Sequence, residues 1–313
     1  MISFGPIPSR RLGKSLGVNN IVSPKACSYN CVYCQVGKTK RHTKEREAFY
    51  RPEVIYQEVQ QHLRRLKPDD YPDYLTFVAN GEPTLDIHLG KAIEQLKKLG
   101  IPIAIISNGS LLTKKDVRDS LSLADWVSVK VDAADEENWK KLNRPVAGLT
   151  FEAYLSGLHS FADEFTGILC TESMLVRDYN DAAGHLERLA RLVKEFHPDK
   201  SYLSIPTRPP ADNRADAPIA KQLIMAWQFF NNEGLNTELL TGFEGKHTGY
   251  TGNAFDDILN ITAVHPLRED TMEELLWNDK SDTSVISSLL HMRLIDKVKY
   301  KGKIFYYRQY RPI

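Results

Sequence analysis

The chain has 313 residues, 42% of them hydrophobic and 26% charged, with a formal net charge of +1. That length predicts one large α/β domain with a small one, or two medium domains, each able to bury a core. A charge so near zero says nothing about partners, while four cysteines in so long a chain exclude a secreted disulfide framework.

In chain order, residues 15–22 read as a first strand, followed at once by a loop carrying three of the cysteines. Pro52 sits where proline is favoured, in the first turn of a helix predicted to run to about Leu66. Residues 74–78 are a short β-rich run. Residues 86–99 carry apolar side chains at near-helical spacing and stop at Gly100. The pattern then predicts a strand over 101–107, a helix over 113–123 and a strand over 126–131. A helix over 151–161, a strand over 167–175 and an amphipathic helix over 181–196 follow. A strand over 202–205 precedes a helix over 218–231 with Trp227 and Phe230 on its apolar side. Six strand–helix units imply a parallel sheet covered by helices, either an open doubly wound sheet or an incomplete barrel.

Gly242, Gly245, Gly249 and Gly252 make 241–253 loop-like. The predicted division is a strand–helix domain over residues 1–245, a linker over 246–254 and a small domain over 255–313. Within the last, 271–277 and 284–292 read as helices. Thr271 and Glu274 are expected to form a capping box, and Asp282-Thr283-Ser284 to cap the second helix. Residues 294–307 read as a hairpin turning at Lys301-Gly302. Helix, helix and terminal hairpin resemble a winged helix-turn-helix domain.

The chemistry centres on Cys27, Cys31 and Cys34, a C-x3-C-x2-C run. Three close thiolates can hold three irons of a four-iron cluster and leave one iron open, since full protein ligation takes four cysteines. A zinc site is the plainer alternative, but zinc wants four ligands, usually in two pairs, and no second pair is present in the sequence. The run, with Tyr33 before its last cysteine, resembles the cluster motif of the radical S-adenosylmethionine (radical SAM) superfamily. Asn80-Gly81-Glu82-Pro83 after the second strand resembles that superfamily's G-G-E-P turn, with Asn80 in place of the first glycine. The alternative for it is an ordinary strand-ending turn.

The resemblance implies a partial (β/α)6 TIM-like barrel with the cluster loop after the first strand, and a [4Fe-4S] cluster and S-adenosyl-L-methionine as cofactors. It implies cofactor contacts at Tyr33, Asn80, Gly81, Glu82 and Asn108, and at Lys130, Asp132 and Glu172. Ser128, Lys130 and Asp132 alternate, so they share one face of the fourth strand. A charge pointing into a barrel is costly unless it binds or pairs, and a Lys130–Asp132 ion pair is the alternative reading. Cys170, Glu172 and Met174 share a face of the fifth strand. Cys170 is a weak catalytic candidate as hydrogen-atom donor, with a buried structural thiol as the alternative. Thr207 and Arg208 follow the sixth strand, where arginine suits a carboxylate or phosphate.

The segment from Gly5 to Gly13, Lys25-Ala26-Cys27 and Pro206-Thr207-Arg208-Pro209-Pro210 add a resemblance to one subgroup, uncharacterised Fe–S oxidoreductases related to wyosine-forming tRNA enzymes. Those tRNA enzymes carry extra cysteines for a second cluster. Only Cys170 is spare here, so a second cysteine-ligated cluster is excluded and wyosine synthesis itself is in doubt.

The implied activity is reductive cleavage of S-adenosylmethionine to a 5′-deoxyadenosyl radical that abstracts hydrogen from a substrate. An electron donor such as flavodoxin or ferredoxin is the expected partner. Lys297, Lys299, Lys301, Lys303, Arg308 and Arg311 interleave with Tyr300, Phe305, Tyr306, Tyr307 and Tyr310. Such a hairpin is a candidate surface for RNA, tRNA or a protein or peptide substrate, although lysine on an edge strand also serves only to block aggregation. The competing class is a non-catalytic Fe–S redox sensor that binds nucleic acid through the winged helix. A third is methyl or other group transfer. Residues 1–8 lack a basic segment leading into an apolar stretch, and no apolar run approaches the ~18–20 residues of a membrane span, so a cytoplasmic protein with no membrane contact is expected.

Overall fold

The structure is a computed structural model describing residues 2–242, 245 and 248–309. Tyr310, Arg311 and the first two residues of the expected linker lie outside the described residues.

The chain opens with an antiparallel hairpin, β1 (Ser3–Ser9) and β2 (Gly13–Val18). Two two-residue strands, β3 (Ala26–Cys27) and β4 (Arg41–His42), pair in parallel and clip the cysteine loop to the segment behind it. Alternation follows: α1 (Pro52–Arg65), β5 (Tyr74–Phe77), α2 (Leu89–Lys97), β6 (Ile103–Ser107), α3 (Lys115–Leu121) and β7 (Trp126–Lys130). Two helices, α4 (Glu136–Asn143) and α5 (Phe151–Glu164), precede β8 (Ile168–Met174). The first part closes with α6 (Ala183–Lys194), β9 (Lys200–Ser204), α7 (Ala220–Asn232) and β10 (Thr237–Leu240).

The sheet order is β1-β2-β5-β6-β7-β8-β9-β10, parallel from β2 onward, and it curls into a half-barrel. Six strands were expected, and among the described residues this sheet has eight. β1 escapes the sequence pattern because Gly5, Pro6 and Pro8 break it. An edge strand tolerates proline because its outer side donates nothing to the ladder. β10 is only four residues long.

Alternation along each strand splits the side chains into two layers. Leu75, Phe77, Ile103, Ile105, Val127, Val129 and Leu203 face outward and are buried under the helices. The inner face begins with an apolar floor of Leu12, Ala104, Trp126, Cys170, Tyr202 and Leu240. Two residues further along the strands it turns polar, with Ser128, Glu172 and Ser204. The strand carboxyl ends lie above this layer, where parallel α/β folds gather functional groups.

The remaining chain forms α8 (Ala254–Thr262), β11 (Leu267–Arg268), α9 (Glu269–Asn278), α10 (Ser284–His291), β12 (Ile295–Tyr300) and β13 (Lys303–Arg308). Its sheet runs β11-β13-β12, with both pairings antiparallel. Its core of Ile258, Ile261, Met272, Leu275 and Leu289 takes in Phe4 from β1. The Gln35 amide donates to Val264 O at 3.2 Å, and Lys301 Nζ reaches Pro206 O at 3.2 Å and Asp216 at 3.0 Å. This unit therefore sits against the open side of the half-barrel.

Two local expectations fail. Thr271 does not cap a helix, because α9 starts at Glu269 with Arg268 as its first flanking residue, and the Thr271 hydroxyl has no partner. Trp227 is 41% exposed while Phe230 is fully buried. A spacing of three residues on α7 carries Trp227 to the edge of the apolar stripe.

Candidate functional site

The cysteine loop rests directly on the turn after β5. Ala26 N donates to Asn80 O at 3.3 Å, and Glu82 N donates to Ala26 O at 3.0 Å. Gly81 lies between them with φ +135°, and a Cβ there would stand 1.7 Å from Ala26 O. Only glycine lets the two backbones approach this closely.

Each of the three sulfurs receives an N–H donor. Cys27 Sγ takes Tyr29 N at 3.4 Å and Asn108 Nδ2 at 3.6 Å. Cys31 Sγ takes Asn143 Nδ2 at 3.5 Å. Cys34 Sγ takes Lys25 Nζ at 3.1 Å, and the same ammonium holds Gly37 O at 2.6 Å. Lys25 is only 5% exposed. Burial opposes its charge, but the neighbouring Cys34 and Cys27 outweigh this and raise its pKa. Burial pushes the Cys27 thiol up to about 12 and raises that of Cys31. Donors aimed at all three sulfurs match the acceptor character of sulfur that ligates iron.

The cofactor candidates fall into two groups. Asn80, Gly81, Glu82 and Asn108 surround the foot of the loop. The Glu82 carboxylate accepts from Thr84 N at 3.2 Å, Thr84 Oγ1 at 2.7 Å, Ser107 Oγ at 2.8 Å and Asn108 N at 2.8 Å. It locks the ends of β5 and β6 together; its pKa is raised by burial, against these donors. Asn80 is 1% exposed, and neither polar atom of its side chain has a partner.

The second group comes from the ends of β7 and β8. Asp132 accepts from the Tyr33 hydroxyl, from Asn143 Nδ2 at 2.7 Å and from Met174 N at 2.8 Å. The alternative reading of a Lys130–Asp132 ion pair gives way to a different pairing. Lys130 Nζ bonds Glu172 Oε1 at 2.6 Å, Ser204 Oγ bonds the same oxygen at 2.8 Å, and Arg11 pairs with Oε2. Register explains the change: Lys130 and Glu172 lie directly opposite on β7 and β8. Burial would raise the Glu172 pKa, but Arg11 and Lys130 together hold it at about 2.

Tyr33, Cys34, Lys130, Glu172, Met174 and Arg208 all line a cavity of about 280 Å³ inside the half-barrel. Cys170 does not line it. It is 1% exposed in the apolar floor, and burial pushes its thiol up to about 12, so it is a core residue rather than a hydrogen donor beside the chamber. Among the described residues, no group of three His, Cys, Asp or Glu has the geometry of a metal-ion site. A single zinc draws its sulfurs to about 2.3 Å from one point, whereas a four-iron cluster takes each thiolate on a different iron.

Sequence reasoning assigned no role to Arg11, Lys25, Asn143 or Ser204. Arg11 and Lys25 lie in quoted motifs, but the partner of Arg11 is 161 residues away and that of Lys25 depends on how the cysteine loop folds back. Asn143 ends α4, a helix unrecognised in the sequence. Its signal was Asp135, whose side chain accepts from Asn138 N as an N-cap.

Comparison with known proteins converges on one group. A family model described as the radical SAM superfamily matches residues 21–193. UPF0026 protein MJ1312 of Methanocaldococcus jannaschii is 43% identical over 307 residues, covering 97% of this chain and 95% of its own length. The solved structure of TYW1 with a lysine-pyruvate adduct bound aligns over 71% of this chain and 75% of its own, with TM-score 0.54 and 18% identity. A radical SAM methyltransferase from Sphaerobacter thermophilus aligns over 72% of this chain and 66% of its own, with TM-score 0.56 and 15% identity. At such identities the two structures speak to the fold alone.

Proposed function

We propose, for a chain that belongs to the radical SAM superfamily and is a radical SAM enzyme, that Cys27, Cys31 and Cys34 hold a [4Fe-4S] cluster with one iron left open to S-adenosylmethionine. The observation that carries this reading is the donor set, an N–H group on every sulfur, contributed by Lys25, Tyr29, Asn108 and Asn143. When bound, cluster and S-adenosylmethionine supply reductive cleavage of a carbon–sulfur bond and, through it, hydrogen-atom abstraction.

The protein's own groups position and shield. Lys25 sets a buried positive charge against Cys34. Gly81 exposes backbone at the foot of the loop, and Glu82 acts by holding Ser107 and Asn108 in place. Asn80, with both amide atoms unpartnered, has hydrogen-bonding capacity to offer the cofactor. Asp132 fixes Tyr33, and Lys130 with Glu172 presents a charged wall to the chamber. These residues are our cofactor-binding assignment.

We assign the barrel to residues 1–245 and a winged helix-turn-helix domain to 255–313. The order α8, β11, α9, α10, β12, β13 and the antiparallel sheet support that domain reading. RNA, with tRNA as the first trial, is the substrate class we favour over protein, and a flavodoxin or ferredoxin is the proposed electron donor. The sensor reading gives way because the chain belongs to an enzyme superfamily.

The test is anaerobic reconstitution with iron and sulfide, then reductant and S-adenosylmethionine, with 5′-deoxyadenosine measured by chromatography. Wild-type protein is expected to form it and a Cys27/Cys31/Cys34→Ala triple variant to form none. A stable cluster that never cleaves the cofactor, with a physiological donor and candidate RNAs present, would overturn the proposal.

A further inference from the structure

The proposed reaction needs an electron delivered to the cysteine loop without opening the chamber. Tyr33, Cys34 and Gln35 line that chamber, which cofactor and substrate must share, whereas Gly37, Lys38 and Lys40 do not. Lys25 connects the two sides. Its ammonium bonds Cys34 Sγ at 3.1 Å and Gly37 O at 2.6 Å. The backbone at Gly37 is therefore one hydrogen-bonded side chain away from a proposed cluster ligand. A Cβ at Gly37 would meet nothing within 4 Å, so the loop is open to an approaching surface at this point.

The chain just beyond Gly37 presents charge outward. Thr39 turns in, with its N–H donating to Asn30 Oδ1 at 2.9 Å and its hydroxyl to Tyr29 O at 2.7 Å. Lys38 and Lys40 on either side of it are exposed. Further along, Arg41 pairs with Glu47 and Arg46 with Asp116. Lys38 and Lys40 have no acidic partner among the described residues.

Two more segments bring cations to the same loop. Asn30 donates its own N–H to Arg144 O at 3.1 Å, and Asp212 N donates to Val32 O at 2.9 Å. The Asp212 carboxylate accepts from Arg144 at 2.8 Å and from Arg214 at 2.9 Å. Two guanidiniums on one carboxylate leave a surplus positive charge. Lys38, Lys40, Arg144 and Arg214 thus come from three separate stretches of chain and meet around the cysteine loop. The net charge of the whole chain is only +1, so this is a local concentration of charge, the kind that steers a charged partner to one face.

We propose that this face docks an acidic one-electron carrier protein, which delivers its electron beside the Lys25–Cys34 contact. The carrier loses one electron to the cluster, and no atom or proton is transferred with it. The purpose of the docking rests on the function proposed above; the affinity for the carrier does not. Charge complementarity selects the partner and speeds its encounter. RNA is anionic too, but a strand held by Lys38 and Lys40 would be held by residues that do not line the chamber. The carrier is therefore the favoured occupant.

The test is surface plasmon resonance of the full-length protein, reconstituted with iron and sulfide and without S-adenosylmethionine, against the oxidised flavodoxin and ferredoxin of the same organism. Saturable binding that weakens as salt rises is expected for at least one of them. Lys38→Glu/Lys40→Glu should slow association by about tenfold or more and flatten its salt dependence, while melting like wild type. Lys91→Glu/Lys98→Glu, a reversal of two exposed lysines at α2, should leave association unchanged. Absence of saturable binding by either carrier, or equal losses in the two double variants, overturns the proposal. So does a Lys38→Glu/Lys40→Glu variant that binds the carrier like wild type but loses affinity for tRNA, which would assign the face to RNA. A second readout separates this proposal from the one it rests on. With dithionite as reductant, Lys38→Glu/Lys40→Glu should form 5′-deoxyadenosine at the wild-type rate, and with limiting reduced carrier about tenfold more slowly. Wild-type protein that binds the carrier but forms no 5′-deoxyadenosine with either reductant overturns the enzymatic reading and leaves the docking surface standing. Turnover with a carrier whose binding ignores Lys38 and Lys40 overturns the docking surface alone.

Discussion

Gly81 carries two constraints at once. Its φ of +135°, and the 1.7 Å that would separate a Cβ from Ala26 O, leave no room for a side chain. Gly81→Ala should cost about 1–3 kcal/mol of backbone strain and displace the cysteine loop, so both the melting temperature and iron retention should fall. A variant that melts and binds iron like wild type would show that the loop relaxes freely. Glu172 is the other residue on which much depends. Its carboxylate neutralises Arg11 and Lys130 inside the barrel. Removing one partner of a buried pair leaves uncompensated charge, so Glu172→Gln should destabilise by about 3 kcal/mol at neutral pH, measured by denaturant unfolding. The folded-state pKa is depressed from 4.5 to about 2. Its contribution is therefore fully present above about pH 4.5 and is lost as pH falls toward 2. The stability difference between wild type and Glu172→Gln should shrink over that interval, and a constant difference would refute the ion-pair account.

At the scale of elements, the hairpin β12–β13 joins sequence to assembly. Its turn is Lys301-Gly302, with φ of +48° and +77°, the left-handed pair that a two-residue hairpin needs. The turn delivers Tyr300 and Lys301 onto Pro206 O. Gly302→Ala should cost about 1 kcal/mol and lower the melting temperature by a few degrees, with a larger loss if the tip also lifts from Pro206. An unchanged melting temperature would mean that the turn adopts another form. The turn itself was readable from Lys301-Gly302 between alternating runs. Its docking site was not, because Pro206 and Lys301 are 95 residues apart.

At the scale of the whole molecule, the N-terminal hairpin and the C-terminal unit share a core. Phe4 is buried with Ile258, Leu275 and Leu289, and Ile7 and Val78 pack against them. Deleting residues 254–313 should therefore expose these side chains at a cost of about 1.5 kcal/mol or more for each large one. Size-exclusion chromatography should show aggregates instead of a monodisperse barrel; a monodisperse, fully folded fragment would contradict a shared core.

The sequence by itself determined the parallel α/β class, the three-cysteine loop, the turn at Gly81 and the terminal hairpin. Each is written in local chemistry, as periodicity, residue spacing or a turn pair, and so needs no knowledge of distant neighbours. α1, β5, β7 and β8 fall close to their predicted bounds for that reason. Only the tertiary structure decided that Glu172 pairs with Arg11 and Lys130, that Lys25, Asn108 and Asn143 each serve a cysteine, and that Cys170 belongs to the floor of the barrel. β1, made irregular by Gly5, Pro6 and Pro8, and the short β10 were likewise settled by sheet pairing. Glu172 and Arg11 are 161 residues apart, and the cysteines bonded by Asn108 and Asn143 are 81 and 112 residues from them. Strand register and barrel curvature bring such groups together, and no local pattern encodes either.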